Sequence, residues 1–252
     1  MTRLIVNADD FGLSSLINCA ITELFNKGLI NSTTIMANMP CFDEAVEMAF
    51  NNNFDNKIGI HLTLSQDLPL TTNIQSIYLF NPANHNHSEN IRKHLFFITK
   101  NEKKLVFNEF ATQIEKVKKI GIKITHIDSH HHIHEIWPIT RIVIDLLKKY
   151  NIASMRILNN LNRSSRLYKT IYRNIINKQI RIKGLEFTDF FGNQLEAISQ
   201  FKIAPSVFED KKLEIMVHPD YNNKGIIIDK IKSREYNLEY SDDLRRLIAS
   251  YS

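Results

Sequence analysis

Residues 122–138 read IKITHIDSHHHIHEIWP, and the second half packs four histidines, 130, 131, 132 and 134, into five positions. A mid-chain cluster that follows an apolar run is not a purification tag. Ile122–Asp128 reads as a strand, opened by Gly121, and Pro138–Tyr150 as the helix behind it. Alternation puts Ile122, Ile124, His126, Asp128 and His130 on one face, with Lys123, Thr125, Ile127, Ser129 and His131 on the other. Asp128 and His130 therefore share a face. His131 is expected to pack elsewhere, and His134 to lie further into the loop. Polar groups gathered where a strand stops mark the functional end of an α/β barrel.

The same strand–helix alternation extends in both directions. Leu4–Ala8, Ser32–Met36, Lys57–Leu64, Ser154–Leu158 and Glu214–His218 read as strands. Ser14–Lys27 with a Gly28 stop, Asp43–Asn51, Leu105–Ile120, Arg163–Asn177 and Asp242–Tyr251 read as helices. Such alternation predicts a parallel sheet with crossover helices. No GxGxxG follows the first strand, which disfavours a dinucleotide fold. The expected architecture is a single α/β domain over 1–252, a TIM-like (β/α) barrel that is irregular or incomplete. Residues 67–104 read as a variable loop or insertion, an active-site flap or substrate-recognition segment, with His85, His87 and His94 solvated.

Composition narrows the class. The chain has 252 residues, with 43% hydrophobic and 23% charged, which is globular rather than disordered. Its formal charge of +5 is spread over helix faces such as Lys116, Lys118 and Lys119, not gathered into a basic arm. A nucleic-acid partner is not expected. Cys19 and Cys41 form no CxxC, and Cys19 is expected to pack within the first helix. The N-terminal apolar stretch is too short for a signal peptide, and no run approaches the ~20 apolar residues of a membrane span. A cytoplasmic enzyme or binding protein is the natural expectation.

Four strands end in groups that hold metals or move protons: Asp9 and Asp10, His61, Asp128 with His130, and His218. In KIGIHLTL, alternation sends Ile60, Leu62 and Leu64 toward the helices, leaving His61 in the barrel interior. An Asp/His/His shell with open positions suits a hard or borderline divalent ion. A neighbouring carboxylate is then available as a base. Asp9 reads equally well as a group orienting a ligand histidine.

These residues resemble the YdjC-like carbohydrate deacetylases, which include chitooligosaccharide deacetylases. The matching segments are NADDFG (7–12), NSTTIMANMP (31–40), GIHLTL (59–64), HIDSHHHIH (126–134) and EIMVHPD (214–220). The resemblance implies a barrel metallohydrolase that removes N-acetyl groups from amino sugars. It implies one divalent ion, Mg or Zn first and Mn or Co next, held by Asp10, His61 and His130. It implies Asp9 as general base and His218 as general acid or the group that orients it. Asp128, His132, Asn38 and Arg156 are implied as supporting or substrate-contacting groups. Arg156 lacks the proline the family carries nearby, so an ordinary surface arginine is the competing reading. The expected partner is an N-acetylated sugar, with no membrane and with a homodimer left open. Competing readings are a metallohydrolase of another amide, ester or lipid-linked amino sugar, and a non-catalytic sugar or metal binder.

Overall fold

The computed structural model describes residues 4–64, 66–76, 98–161, 167–182, 185–231 and 234–251. The first half places β1 (Leu4–Phe11), α1 (Ser15–Asn26), β2 (Ser32–Ile35), α2 (Phe42–Asn51), β3 (Ile58–Leu62), α3 (Lys100–Lys119) and β4 (His126–Ser129). The second half adds α4 (Trp137–Tyr150), β5 (Ser154–Met155), α5 (Leu167–Ile182), β6 (Phe190–Asn193), α6 (Gln194–Ile203) and β7 (Leu213–Val217). Three short strands, β8 (Pro219–Tyr221), β9 (Ile227–Ile231) and β10 (Arg234–Asn237), precede α7 (Asp242–Ala249).

β1 to β7 form one parallel sheet in the order β5-β4-β3-β2-β1-β7-β6. Five steps separate β5 from β7, roughly 24 Å across a flat sheet at ~4.8 Å per strand. Yet Arg156, directly after β5, places its Nε 2.6 Å from Glu214 Oε1 on β7. Only a curled sheet allows that contact. The seam lies between β5 and β6 and is stitched sparsely, by a parallel bridge from Ser154 to Glu186 and by the Asn160 amide donating to Phe191 O. The α/β expectation holds, as an incomplete barrel wrapped in helices. A separate antiparallel sheet, β10-β9-β8, sits beyond the end of β7.

Local chemistry explains where the elements start and stop. Ser14 caps α1 by accepting from the Ile17 amide, and Gly28, at φ 65, turns the chain out of it. α3 begins five residues before the expected Leu105, because Thr99 and Glu102 make a reciprocal capping box. Residues 100–104 therefore belong to a helix rather than to the 67–104 loop. Within that loop Thr72–Ser76 is a 3₁₀ turn, tied down where buried Glu109 accepts from the Leu70 and Thr71 amides. Residues 77–97 of it, with His85, His87 and His94, lie outside the described residues. β4 starts only at His126, four residues later than alternation suggested.

Cys19 is a correction: it is exposed. The buried slot beside it belongs to Asn18, whose Oδ1 accepts from the Gly12 amide at 2.7 Å and whose Nδ2 donates to Cys41 O and Glu44. Those bonds satisfy a polar side chain in a place where an apolar one was expected.

Candidate metal centre and its surroundings

β1 should send adjacent aspartates to opposite faces, but it carries a bulge. Ala8 pairs with Thr33 and Phe11 with Ile35, so β1 spends one more residue than β2, and Asp10 takes φ 68. The bulge lets Asp9 and Asp10 both line one cavity of about 570 Å³ at the carboxyl ends of the strands. His131 and His132, at φ 51 and 53, break alternation in the same way after β4. His131 is thereby corrected: it lines the cavity, its ring centroid 4.0 Å from that of His130, rather than packing elsewhere.

Asp10, His61 and His130 each present one donor atom, all within 4.8 Å of one another. Asp10 Oδ1 lies 2.8 Å from His130 Nδ1 and 3.2 Å from His61 Nε2. The other nitrogen of His61, Nδ1, meets Asp128 Oδ1 at 2.7 Å, and Thr34 Oγ1 donates to Asp128 Oδ2 at 3.0 Å. Asp128 thus fixes the ring so that Nε2 faces the cluster.

Burial opposes a charge on His61, but Asp128, Asp10 and Asp9 outweigh it and raise its pKa to about 10. Burial would raise Asp10, but His130 and His61 hold its carboxyl well below the usual range. Asp9, Asp10, Asp128 and Glu214 are buried together against the single guanidinium of Arg156. This surplus of buried negative charge, faced by one oxygen and two nitrogen donors, fits a divalent cation.

Arg156 lies under the site, 1% exposed, which excludes a surface arginine. Its Nη1 and Nη2 clamp Asp9 at 2.7 and 2.8 Å, Nη1 also reaches Asp128 at 2.7 Å, and Nε holds Glu214. Asn7 Nδ2 adds a bond of 2.9 Å to Asp9. His218, one-third exposed in the same cavity, places Nε2 3.9 Å from Asp9 Oδ2. Asp229 on β9 accepts from the His218 amide at 2.8 Å and lies 3.9 Å from its Nδ1. Burial raises the Asp229 carboxyl to about 6.

The remaining histidines divide. His132 lines the cavity, and burial pushes its imidazole well below the usual value. His134 is fully buried, its Nδ1 2.6 Å from Ser129 Oγ. Asn38 stands away from the cluster and donates to the carbonyls of Gln66 and Leu68, bracing the loop after β3. Sequence reasoning missed Glu214 and Asp229. Glu214 opens the quoted EIMVHPD segment, so a charge inside an apolar strand was its available signal. Asp229 had none, because the antiparallel strands carrying it were unforeseen. Leu13 just before α1 and Ile17 within it, with Asp220 and Lys230 of β8 and β9, add to the cavity wall.

Fold and site together define an incomplete α/β barrel with a cluster able to hold a metal at the carboxyl ends of its strands. The family model described as YdjC-like protein matches residues 3–250, and the chain belongs to that family. It is 33% identical to a carbohydrate deacetylase of Clostridium beijerinckii over 227 residues, covering 89% of this chain and 84% of the relative. A carbohydrate deacetylase of Halalkalibacterium halodurans is 32% identical, covering 87% and 85%. A crystal structure from Enterococcus faecalis, described as a proposed cellobiose-phosphate cleavage protein, superposes with a TM-score of 0.70 at 23% identity, over 98% of this chain and 94% of that one. At that identity it supports the fold alone. Among the described residues no helix is long and apolar enough to cross a membrane.

Proposed function

We propose that the protein is a metal-dependent carbohydrate deacetylase that releases acetate from N-acetylated amino sugars or chitooligosaccharides. The observation that carries this reading is the Asp10–His61–His130 cluster, flanked by Asp9 and His218 in one cavity, in a chain whose relatives bear the deacetylase name. Asp10, His61 and His130 would hold the ion, with Mg or Zn the first candidates. A divalent ion held there supplies polarisation of an amide carbonyl and a lowered pKa for a bound water.

The chain's own groups do the rest. Asp9, clamped by Arg156 and Asn7, would be the proton acceptor. His218, whose backbone amide donates to Asp229, would deliver a proton to the departing amine. Asp128 locks the His61 ring. Ser129 is 1% exposed, and burial pushes its neighbour His134 down to about 3, too weak a base to activate it, which leaves an acyl-serine route unattractive.

The test measures acetate release over a panel of N-acetylated mono- and oligosaccharides, with simple esters alongside and metal content determined on the same sample. Acetate from the N-acetyl sugars, tracking metal content, supports the reading. Ester cleavage without amide cleavage, or turnover indifferent to metal, sinks it.

A further inference from the structure

The inner face of α5 explains how the helix is held. Ile176 and Ile180 are buried, and Asn177 accepts from the Leu158 amide at 2.7 Å and donates to the Leu158 carbonyl at 3.0 Å. Tyr172 Oη donates to the Glu135 carbonyl at 2.8 Å and accepts from the Trp137 amide at 2.9 Å.

The outer face is not explained by packing. Leu167, Ile171 and Ile175 recur every four residues with Tyr168 beside them, and at 3.6 residues per turn the four share an arc of roughly 100°. Their exposure runs from 46% at Ile175 to 75% at Leu167. Eleven large apolar side chains are exposed among the described residues, and four of them stand on this one stripe. Single exposed apolar residues are ordinary, whereas a contiguous stripe marks a contact surface. The stripe leaves no apolar run in the sequence, because its residues lie a helical turn apart.

Charge says what the surface meets. α5 carries Lys169, Arg173, Lys178 and Arg181 with no aspartate or glutamate, which is +4 of the chain's formal +5. Lys178 continues the stripe one turn further and Arg181 stands at its edge. Lys178 is exposed and, among the described residues, pairs with no carboxylate. A second copy laid stripe to stripe would bring two sets of these cations together. A nucleic acid would use the cations and leave Leu167, Ile171 and Ile175 in water. An anionic bilayer uses both, with apolar side chains in the acyl boundary and cations among the headgroups. We propose that α5 docks the protein on an anionic membrane surface, Leu167, Tyr168, Ile171 and Ile175 entering the interface while the Lys178 ammonium reaches back to lipid phosphates. This is attachment to the surface, not a span, and it does not depend on the activity assigned to the cavity.

The full chain is floated with vesicles of equimolar phosphatidylcholine and phosphatidylglycerol, and with vesicles of phosphatidylcholine alone. Binding is expected to the anionic vesicles only, and it should weaken as added salt shortens the Debye length below about 8 Å. Ile171→Gln combined with Ile175→Gln should weaken it at least about tenfold, and so should Lys178→Glu. The melting temperature and turnover of soluble substrate should stay at wild-type values in both variants, because these side chains are exposed and do not line the cavity. Four results would overturn the proposal. They are no flotation with the anionic vesicles; equal flotation with phosphatidylcholine alone; wild-type flotation in the double isoleucine variant together with duplex DNA binding that Lys178→Glu abolishes, which would make the partner a nucleic acid; and, in place of vesicle binding, a dimer in sedimentation that the double isoleucine variant dissolves, which would seat a second copy on the stripe.

Discussion

Two neighbouring aspartates differ here in what holds them. Asp9 is gripped by a guanidinium and an amide, whereas Asp10 faces two imidazoles. Asp9→Asn is therefore expected to keep bound metal and lower turnover by about 10²–10⁴-fold, while Asp10→Asn loses the metal. Metal analysis beside initial rates checks this, and the reverse pattern would exchange the two roles. Asp229 gives a second residue-scale prediction. Burial raises its carboxyl from 3.8 to about 6, so between those values the folded protein keeps a proton that the unfolded chain has released. Its contribution to stability is complete below pH ~4 and is lost as the pH rises through 6. Asp229→Asn should therefore melt higher than wild type at pH 7–8, by on the order of 2 kcal/mol, with the gap closing below pH 4. Equal melting curves at pH 8 would mean that the carboxylate is not buried as a charge.

At the scale of the element, the site depends on strands that depart from regularity. The one-residue bulge in β1 turns an alternating pair into a convergent one, and the two left-handed histidines after β4 do the same for the imidazoles. β3 and β4 depend in turn on a glycine, because the His126 ring occupies the space a Cβ at position 59 would need. Gly59→Ala is expected to destabilise by about 1–3 kcal/mol in urea titration. Wild-type stability in that variant would show that the ring moves aside without strain.

For the whole molecule, acid is the revealing variable. Burial lowers His126 to about 4 and His134 to about 3, so on acidification from pH 6.5 the unfolded chain takes up protons that the folded one refuses. Each histidine makes stability fall with falling pH by about 1.4 kcal/mol per pH unit, and Asp229 offsets one of them between pH 6 and 4. Urea unfolding at pH 6.5 and 4.5 should show net destabilisation at the lower pH. A flat or rising stability would place these imidazoles in contact with water. The molecule also explains why Arg156 reads poorly in sequence: its partners lie on β1, β4 and β7, which meet only because the sheet curls.

The sequence by itself determined much of the strand–helix order, the Gly28 stop and the polar residues at strand ends, because each depends on neighbours within a few positions. Ser14, Thr99 and Gly28 act locally, and NADDFG and HIDSHHHIH carry their chemistry in contiguous residues. Tertiary structure alone decided which of those residues converge. Alternation sent His131 away, and backbone with positive φ brought it back. It left Cys19 inside and Arg156 unplaced, and packing reversed the first and buried the second. β6, β8, β9 and β10 were not read as strands in the sequence, so Asp229 behind His218 became visible only in the folded chain. A strand's period is a local property, whereas convergence requires curvature, bulges and burial, which the sheet acquires as a whole.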